Sequence, residues 1–152
     1  MTTKIILAPQ SFKGSIHALS AAQAMQRGVL RANPKFETVL VPVADGGDGT
    51  LEALVSTTGG EIFRSVVTGP LGQAVEARWG VMGDGNTAVV EMALASGLAL
   101  IPNNRRDPRK STTRGTGEII KEALDKGFSR IIVGLGGSAT NDAGVGMASA
   151  LG

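Results

Sequence analysis

The sequence predicts an α/β fold, with a flavodoxin- or Rossmann-like parallel sheet, its helices and a strand-rich second subdomain. The first 43 residues follow the order strand, helix, strand, which is the repeating unit of a parallel sheet. Near the C-terminus a strand leads into a glycine-rich loop and then a helix. Between these regions, residues 61–91 contain short strand-like runs separated by turn signals.

The first strand is predicted over residues 4–8, a short apolar run that ends at Pro9. Ser15 is a favourable N-cap residue, and apolar residues recur after it at helical spacing, so we expect a helix from Ser15 to about residue 33. Residues 36–43 then predict a second strand.

The middle of the chain predicts a short helix over residues 51–57, ended by a pair of glycines. Strands follow over residues 61–68, 74–81 and 87–91. The last third predicts a short helix, a polar loop, a helix, a strand and a closing helix, over residues 92–98, 103–114, 116–126, 130–133 and 141–151.

This order predicts two parts. Residues 1–60 and 111–152 are assigned to the Rossmann-like domain, and residues 61–110 to the start of the strand-rich subdomain. Only the strands over residues 4–8, 36–43 and 130–133 have the character of parallel-sheet strands, so the fold is predicted to be incomplete and the chain truncated. Apolar surface left uncovered in this way favours self-association.

Composition excludes several classes of function. The 152 residues contain no Cys and one His, which rules out thiolate metal sites and zinc sites with several histidines. Aromatic residues make up 3%, without Tyr, and the formal net charge is only +2, so we expect no nucleic-acid binding. The sequence has neither an apolar run long enough for a membrane span nor a signal peptide, and it predicts a cytoplasmic protein.

The strongest candidate site is the loop over residues 134–142, which connects a strand to a helix N-terminus. Gly136 and Gly137 allow the backbone to approach a phosphate, and Ser138 and Thr140 can add hydroxyl donors. The alternative is an ordinary tight turn before a capped helix. The spacing Gly-x-Gly-x-x-Ala from Gly134 also fits a loose dinucleotide fingerprint, although the sequence ends before the position of the acidic residue that the fingerprint requires.

The second candidate is the pair Asp45 and Asp48, which flanks Gly46 and Gly47 just after a predicted parallel strand. Carboxylates on such a loop can hold Mg²⁺ through water, or one can act as a general base. The same residues also form ordinary Asp-Gly turns.

Two further candidates are cationic. Lys13 stands at a predicted helix start, where a positive charge opposes the helix dipole and suggests an anionic ligand. A basic cluster follows in the polar loop: Arg105, Arg106, Arg109, Lys110 and Arg114. It can attract a carboxylate or phosphate, or it can be a solvated loop.

Taken together, these motifs resemble the bacterial glycerate kinase family. The resemblance runs in order along the chain through APQSFKGS from Ala8, ADGGDGT from Ala44, TGPLG from Thr68, GTGE from Gly115 and GLGGSATND from Gly134. It implies ATP-dependent phosphorylation of D-glycerate, giving 2-phosphoglycerate in many members, with ATP and Mg²⁺ as cofactors. It also implies two α/β domains with the active site between them.

The resemblance assigns roles to particular residues. It implies Asp45, Lys13 and Asp142 as catalytic residues and Asp48 as the metal ligand, and the base stays open among the three aspartates. The implied substrate- and phosphate-binding residues are Ser11, Gly46, Gly47, Gly136, Gly137, Ser138, Thr140 and Asn141.

The sequence departs from the family pattern in length, since family members are roughly two and a half times longer. It also departs at Gln10, where the family usually has Asp, and at Asp48, where Glu is usual. A truncated chain that is weakly active or inactive is therefore expected. Two alternatives stay open: a dinucleotide-binding module of a dehydrogenase, and a fragment without catalytic activity.

Overall fold

A computed structural model describes residues 2–12 and 15–152 of the chain. The chain divides into two compact units, one ending at Ala44 and the other beginning at Asp45. Within the described residues, no helix combines the length and the apolar character needed to cross a membrane.

The first unit contains strand β1 (Lys4–Leu7), helix α1 (Ala18–Ala32) and strand β2 (Glu37–Leu40). The two strands are parallel, and Lys4 is the register partner of Glu37. The predicted strand, helix, strand unit is therefore present. Leu7 and three alanines of α1 form its buried apolar contacts, and they are Ala18, Ala21 and Ala22.

Helix α1 begins later than the sequence predicts. Ser15 is not its N-cap, because Phe12 and Ile16 form an antiparallel bridge and exchange backbone hydrogen bonds of 2.9 and 3.2 Å. This bridge holds Ile16 outside the helix, and the N-cap falls at His17. A local backbone turn that side-chain patterns do not show thus overrides a favourable capping residue.

Besides two short 3-10 helices (Leu98–Leu100 and Asn103–Arg105), the second unit contains four α-helices and four strands in chain order. They are α2 (Thr50–Thr58), β3 (Glu61–Thr68), β4 (Ala74–Val81), β5 (Thr87–Glu91), α3 (Ala93–Ser96), α4 (Arg114–Asp125), β6 (Arg130–Gly134) and α5 (Val145–Leu151). The four strands form one sheet in the order β3-β4-β5-β6. β3 pairs antiparallel with β4, and β4 pairs antiparallel with β5, whereas β5 and β6 are parallel.

Both faces of this sheet are covered. On one face, Trp79 and Val90 pack with Ile119 of α4 in the larger apolar cluster. On the other face, Val89 packs with Leu51 and Val55 of α2. Successive β5 side chains therefore face opposite helical layers, which explains why all five residues of this strand are buried.

The last strand, β6, pairs with the strand-rich segment of the chain. β6 was assigned to the Rossmann-like part with the first two strands, but it pairs with β5 of the strand-rich segment, from Thr87↔Arg130 to Glu91↔Gly134. The division into compact units falls between residues 44 and 45. The physical reason is that β5 is apolar on both faces and accepts a parallel neighbour under helices.

Candidate functional site

Two loops of the second unit lie in direct contact. The aspartate loop is residues 45–50, and the glycine loop is residues 134–140. The backbone N–H of Gly136 donates a hydrogen bond of 2.7 Å to the carbonyl oxygen of Gly46. A Cβ on Gly136 would lie 2.5 Å from Cα of Gly47, so no larger residue fits this crossing.

The crossing lies at the carboxyl ends of the parallel strands. Glu91 and Gly134 are the last residues of β5 and β6 and are register partners. The N–H of Met92 donates to the carbonyl of Gly134 at 2.9 Å, which extends the pairing beyond the strand ends. Ligands of open α/β sheets bind at this edge.

The aspartate loop presents two exposed carboxylates. Asp45 Oδ1 accepts a hydrogen bond of 3.0 Å from the N–H of Gly47, which fixes a tight turn. Gly49 has a φ of 90°, in the left-handed region that favours glycine, and it is the N-cap of α2. The backbone therefore sets the positions of Asp45 and Asp48.

Asp48 also approaches the glycine loop. Its Oδ1 lies 3.1 Å from the point that a Cβ on Gly137 would occupy. A phosphate bound to this loop would therefore meet a carboxylate of the same sign of charge. A divalent cation between them would turn that repulsion into attraction.

The glycine loop is tied internally more than its sequence suggests. The hydroxyls of Ser138 and Thr140 are 2.9 Å apart, and the N–H of Thr140 donates to Ser138 Oγ at 3.1 Å. The N–H of Ala139 donates to the carbonyl of Ser96 at 3.0 Å. These bonds shape the loop and commit part of its donors to protein acceptors. Asn141, directly after the loop, is exposed.

Asp142, the third candidate base, is held by four hydrogen bonds. Its carboxylate accepts from the N–H and hydroxyl of Thr113, both at 2.9 Å, and from the N–H groups of Gly144 and Gly146, at 3.2 and 3.1 Å. Burial alone would raise the pKa of this carboxyl, but the hydrogen bonds outweigh burial and lower it. Asp142 therefore joins the start of α4 to the start of α5.

Glu91, which no sequence motif marks, lies beside the loop crossing. It is 1% exposed, and it accepts hydrogen bonds from the N–H groups of Gly49 at 3.2 Å and Leu51 at 2.9 Å. Burial raises the pKa of the Glu91 carboxyl above its usual value, against the lowering effect of these bonds. An acidic residue ending an otherwise apolar strand was the available signal.

The basic cluster is partly neutralised by its own neighbours. Asp107 forms ion pairs with Arg109 at 2.9 Å and Lys110 at 3.6 Å. Hydrogen bonds from Arg109 lower the pKa of the Asp107 carboxyl to about 2. Arg114 pairs with Glu118 at 3.0 Å. These contacts favour the interpretation as a solvated loop.

Two predicted residues belong to the first unit. Ser11 is half-buried there. Lys13 lies outside the described residues. In the described part of the chain, no group of three or more acidic or histidine side chains is arranged to hold a metal ion. The donors present suit Mg²⁺ bound by one or two carboxylates together with phosphate and water.

Comparison with known proteins supports the sequence resemblance. Residues 5–152 match the sequence profile of the glycerate kinase family. Glycerate kinase from Bacillus subtilis (strain 168) is 58% identical over 149 residues, which cover 98% of this chain and 39% of that protein. Glycerate 2-kinase from Escherichia coli (strain K12) is 54% identical over the same length, with the same shares covered.

A solved structure shows the same fold. The crystal structure of a protein proposed to be glycerate kinase 2 from Salmonella typhimurium LT2 superposes with a TM-score of 0.90 at 50% sequence identity. The match covers 100% of this chain and 41% of that chain. The chain thus spans about two fifths of the length of these relatives.

Proposed function

The chain belongs to the glycerate kinase family, and we propose that it supplies the phosphate-handling loops of an enzyme that transfers the γ-phosphoryl group of ATP to D-glycerate. The product proposed is 2-phosphoglycerate, as the name of the Escherichia coli relative indicates. Family membership favours this function over a dinucleotide-binding module. An ATP-dependent reaction on a small metabolite also favours a cytoplasmic location.

The contact between the aspartate and glycine loops carries this proposal. It brings two exposed carboxylates next to a glycine-rich backbone at the carboxyl ends of β5 and β6. Phosphoryl transfer requires positioning of the phosphates and compensation of their charge, and this pairing supports both. Gly46, Gly47, Gly136 and Gly137 permit the close packing. Ser138, Thr140 and Asn141 are the proposed polar contacts of the phosphates.

Asp45 is the proposed general base. It is exposed, and the hydrogen bond from Gly47 orients its carboxylate. In the reaction it accepts the proton of the glycerate hydroxyl as that oxygen bonds to the γ-phosphorus, and the bond from this phosphorus to the β–γ bridging oxygen breaks. ADP leaves with that electron pair. Asp142 is less suited to this role because four donors already bind its carboxylate.

Asp48 is the proposed carboxylate ligand of Mg²⁺, which would neutralise charge on the phosphate oxygens when bound. This fits the approach of its Oδ1 to Gly137 in the glycine loop. From the sequence alone, Lys13 remains the predicted cation for a phosphate, and Ser11 remains a predicted substrate- or phosphate-binding hydroxyl.

A chimera tests the function. This chain replaces the matched 149-residue segment of the Bacillus subtilis glycerate kinase, with which it is 58% identical. Purified chimera is assayed for ADP release with ATP, Mg²⁺ and D-glycerate, and the phosphorylated product is identified by NMR. We expect release that depends on D-glycerate and falls sharply in the Asp45→Asn chimera. Equal release without D-glycerate, or unchanged release by that variant, would contradict the proposal.

A further inference from the structure

Glu91 is a buried acid with a specific pair of hydrogen-bond donors. The carboxylate lies at the end of β5 and binds the N–H groups of Gly49 and Leu51, which are 42 and 40 residues away in sequence. Glu91 is only 1% exposed, so solvent does not reach its carboxylate. A buried acid of this kind is retained at a cost in desolvation, which suggests a role beyond packing.

Both donors follow the candidate metal ligand Asp48 closely in the chain. Gly49 directly follows Asp48, and Leu51 lies in the first turn of α2. Their bonds to Glu91 tie the end of the aspartate loop to the last residue of a central strand. The other end of that loop is tied by the bond from Gly136 to the carbonyl of Gly46. The loop is therefore fixed at both ends.

The same contact limits where a phosphate can bind. The first N–H groups of a helix ordinarily attract an anion. At α2, the Glu91 carboxylate occupies two of the donors at the helix start. Those two N–H groups are therefore already bound to a carboxylate of the protein.

We propose that Glu91 is a positioning residue, which fixes the aspartate loop so that Asp48 faces the glycine loop at the distance that catalysis requires. The inference rests on the proposed function for its catalytic consequence. The holding of the loop itself rests only on the two hydrogen bonds. Displacement of a reacting or charge-stabilising group by about 1 Å can lower a rate on the order of 10²-fold.

Two variants separate this role from general stability. In Glu91→Gln the amide group of the side chain must face one of the two backbone donors, so one hydrogen bond is lost. Glu91→Asp keeps the charge on a shorter side chain and should recover part of the effect. Glu122→Gln is the matched control, because Glu122 is a partly buried acid of the same unit that bonds Ser65 and lies in α4.

The structural readout is amide hydrogen exchange in the 152-residue chain, measured by NMR. Glu91→Gln should speed exchange of at least one of the Gly49 and Leu51 amides at least about tenfold, beyond any global change measured at amides of β4. Glu122→Gln should leave those two amides unchanged. If the Glu91→Gln variant retains full protection at both amides, Glu91 does not hold the loop and the inference is wrong.

The catalytic readout uses the chimera. Glu91→Gln should lower kcat by about 10- to 100-fold with less than about a twofold change in KM for D-glycerate, and Glu91→Asp should restore part of kcat. The Glu122→Gln chimera should keep its kcat. Unchanged kcat despite faster exchange would overturn the catalytic part of the inference. If the parent chimera shows no glycerate-dependent activity, the proposed function fails, and the exchange measurement still decides whether Glu91 holds the loop.

Discussion

The two units of the chain bury very different amounts of apolar side chain. Among the residues described before Asp45, the buried hydrophobic side chains are Leu7 and three alanines, while Ile6 and Phe12 are 64% and 55% exposed. The second unit buries Trp79, Leu51 and Ile119 completely, with helices on both faces of its sheet. Similar strand and helix patterns thus give a core covered on both faces in the second unit and a largely uncovered one in the first unit.

This difference shows that the spacing of apolar residues predicts helices and strands but not whether their apolar faces are buried. The exposed apolar side chains of the first unit include Leu19 and Met25 of α1, which stand at helical spacing. Surface of this kind is ordinarily covered by further chain or by a partner. We therefore expect the first unit to be the less stable one and the source of self-association.

The largest expected effect comes from removing the central side chain of the second core. Trp79→Ala should lower the free energy of unfolding by about 3–5 kcal/mol, because the side chain is fully buried and packs against Phe63 and Phe128. Leu7→Ala in the first unit should cost about 2 kcal/mol or less, since its neighbours are partly exposed. Urea unfolding followed by circular dichroism measures both.

The parent chain provides an independent check on this ranking. Trp79 is the one tryptophan in the sequence, so its fluorescence reports on the second unit, whereas circular dichroism reports on both. We expect circular dichroism to begin its transition at lower urea than fluorescence does. Coincident transitions would mean that the two units unfold together and that the comparison does not hold for stability.

The next effect concerns the chemistry assigned to the second unit. In the chimera, Asp45→Asn should lower kcat at least about 10²-fold, the low end for loss of a general base. Asp48→Asn should cost less, because one charge is removed from a metal site that also uses phosphate oxygens. Ser11→Ala, in the first unit, should raise KM more than it lowers kcat. Steady-state kinetics that rank Ser11 above Asp45 would reverse the assignment.

A smaller effect tests the loop crossing itself. Gly136→Ala should lower the free energy of unfolding by about 1–3 kcal/mol, because its Cβ would lie 2.5 Å from Cα of Gly47. Gly28→Ala in α1 is the matched control, since nothing lies within 4 Å of a Cβ there. It should leave stability unchanged or slightly raised. Equal melting temperatures for the two variants would show that the loops separate without cost.

Much of the fold could be predicted from local signals. The strands predicted over residues 61–68, 74–81 and 87–91 coincide with β3, β4 and β5, because turn residues bound them on both sides. The pairing of β6 with β5 could not be predicted, because both strands are apolar runs without a mark of their neighbour. The start of α1 was missed for a similar reason, since a backbone bridge decides it.

The candidate site was partly predictable in the same sense. The spacing of the glycines marks both loops in the sequence. The sequence predicts that Gly136 lets a phosphate approach the backbone, whereas in the structure its missing side chain leaves space for the backbone of Gly47. Glu91 was missed because its donors are backbone groups some 40 residues away, which no side-chain motif reveals. The roles of Asp45, Asp48 and the phosphate-side residues remain predictions.

The smallest expected effect is the pH dependence of the stability that Asp142 contributes, which distinguishes it from the exposed Asp45 and Asp48. The pKa of Asp142 is lowered from 3.8 in the folded chain, so the unfolded chain binds its proton more readily. Its stabilising contribution is therefore present above about pH 4 and is lost as pH falls through the folded pKa. Asp142→Asn should lower the free energy of unfolding by about 1–2 kcal/mol at pH 7, because hydrogen bonds to a charge become hydrogen bonds to a neutral amide.

That difference between parent and variant should shrink when urea unfolding, followed by Trp79 fluorescence, is repeated at pH 5, 4 and 3. Comparing the two proteins at each pH cancels the titration of the other carboxyls, including the opposite trend from Glu91, whose pKa is raised. For Glu91, stability falls as pH rises from the unfolded toward the folded pKa. A difference that stays constant down to pH 3 would mean that the charge of Asp142 contributes nothing and that its geometry alone joins α4 to α5.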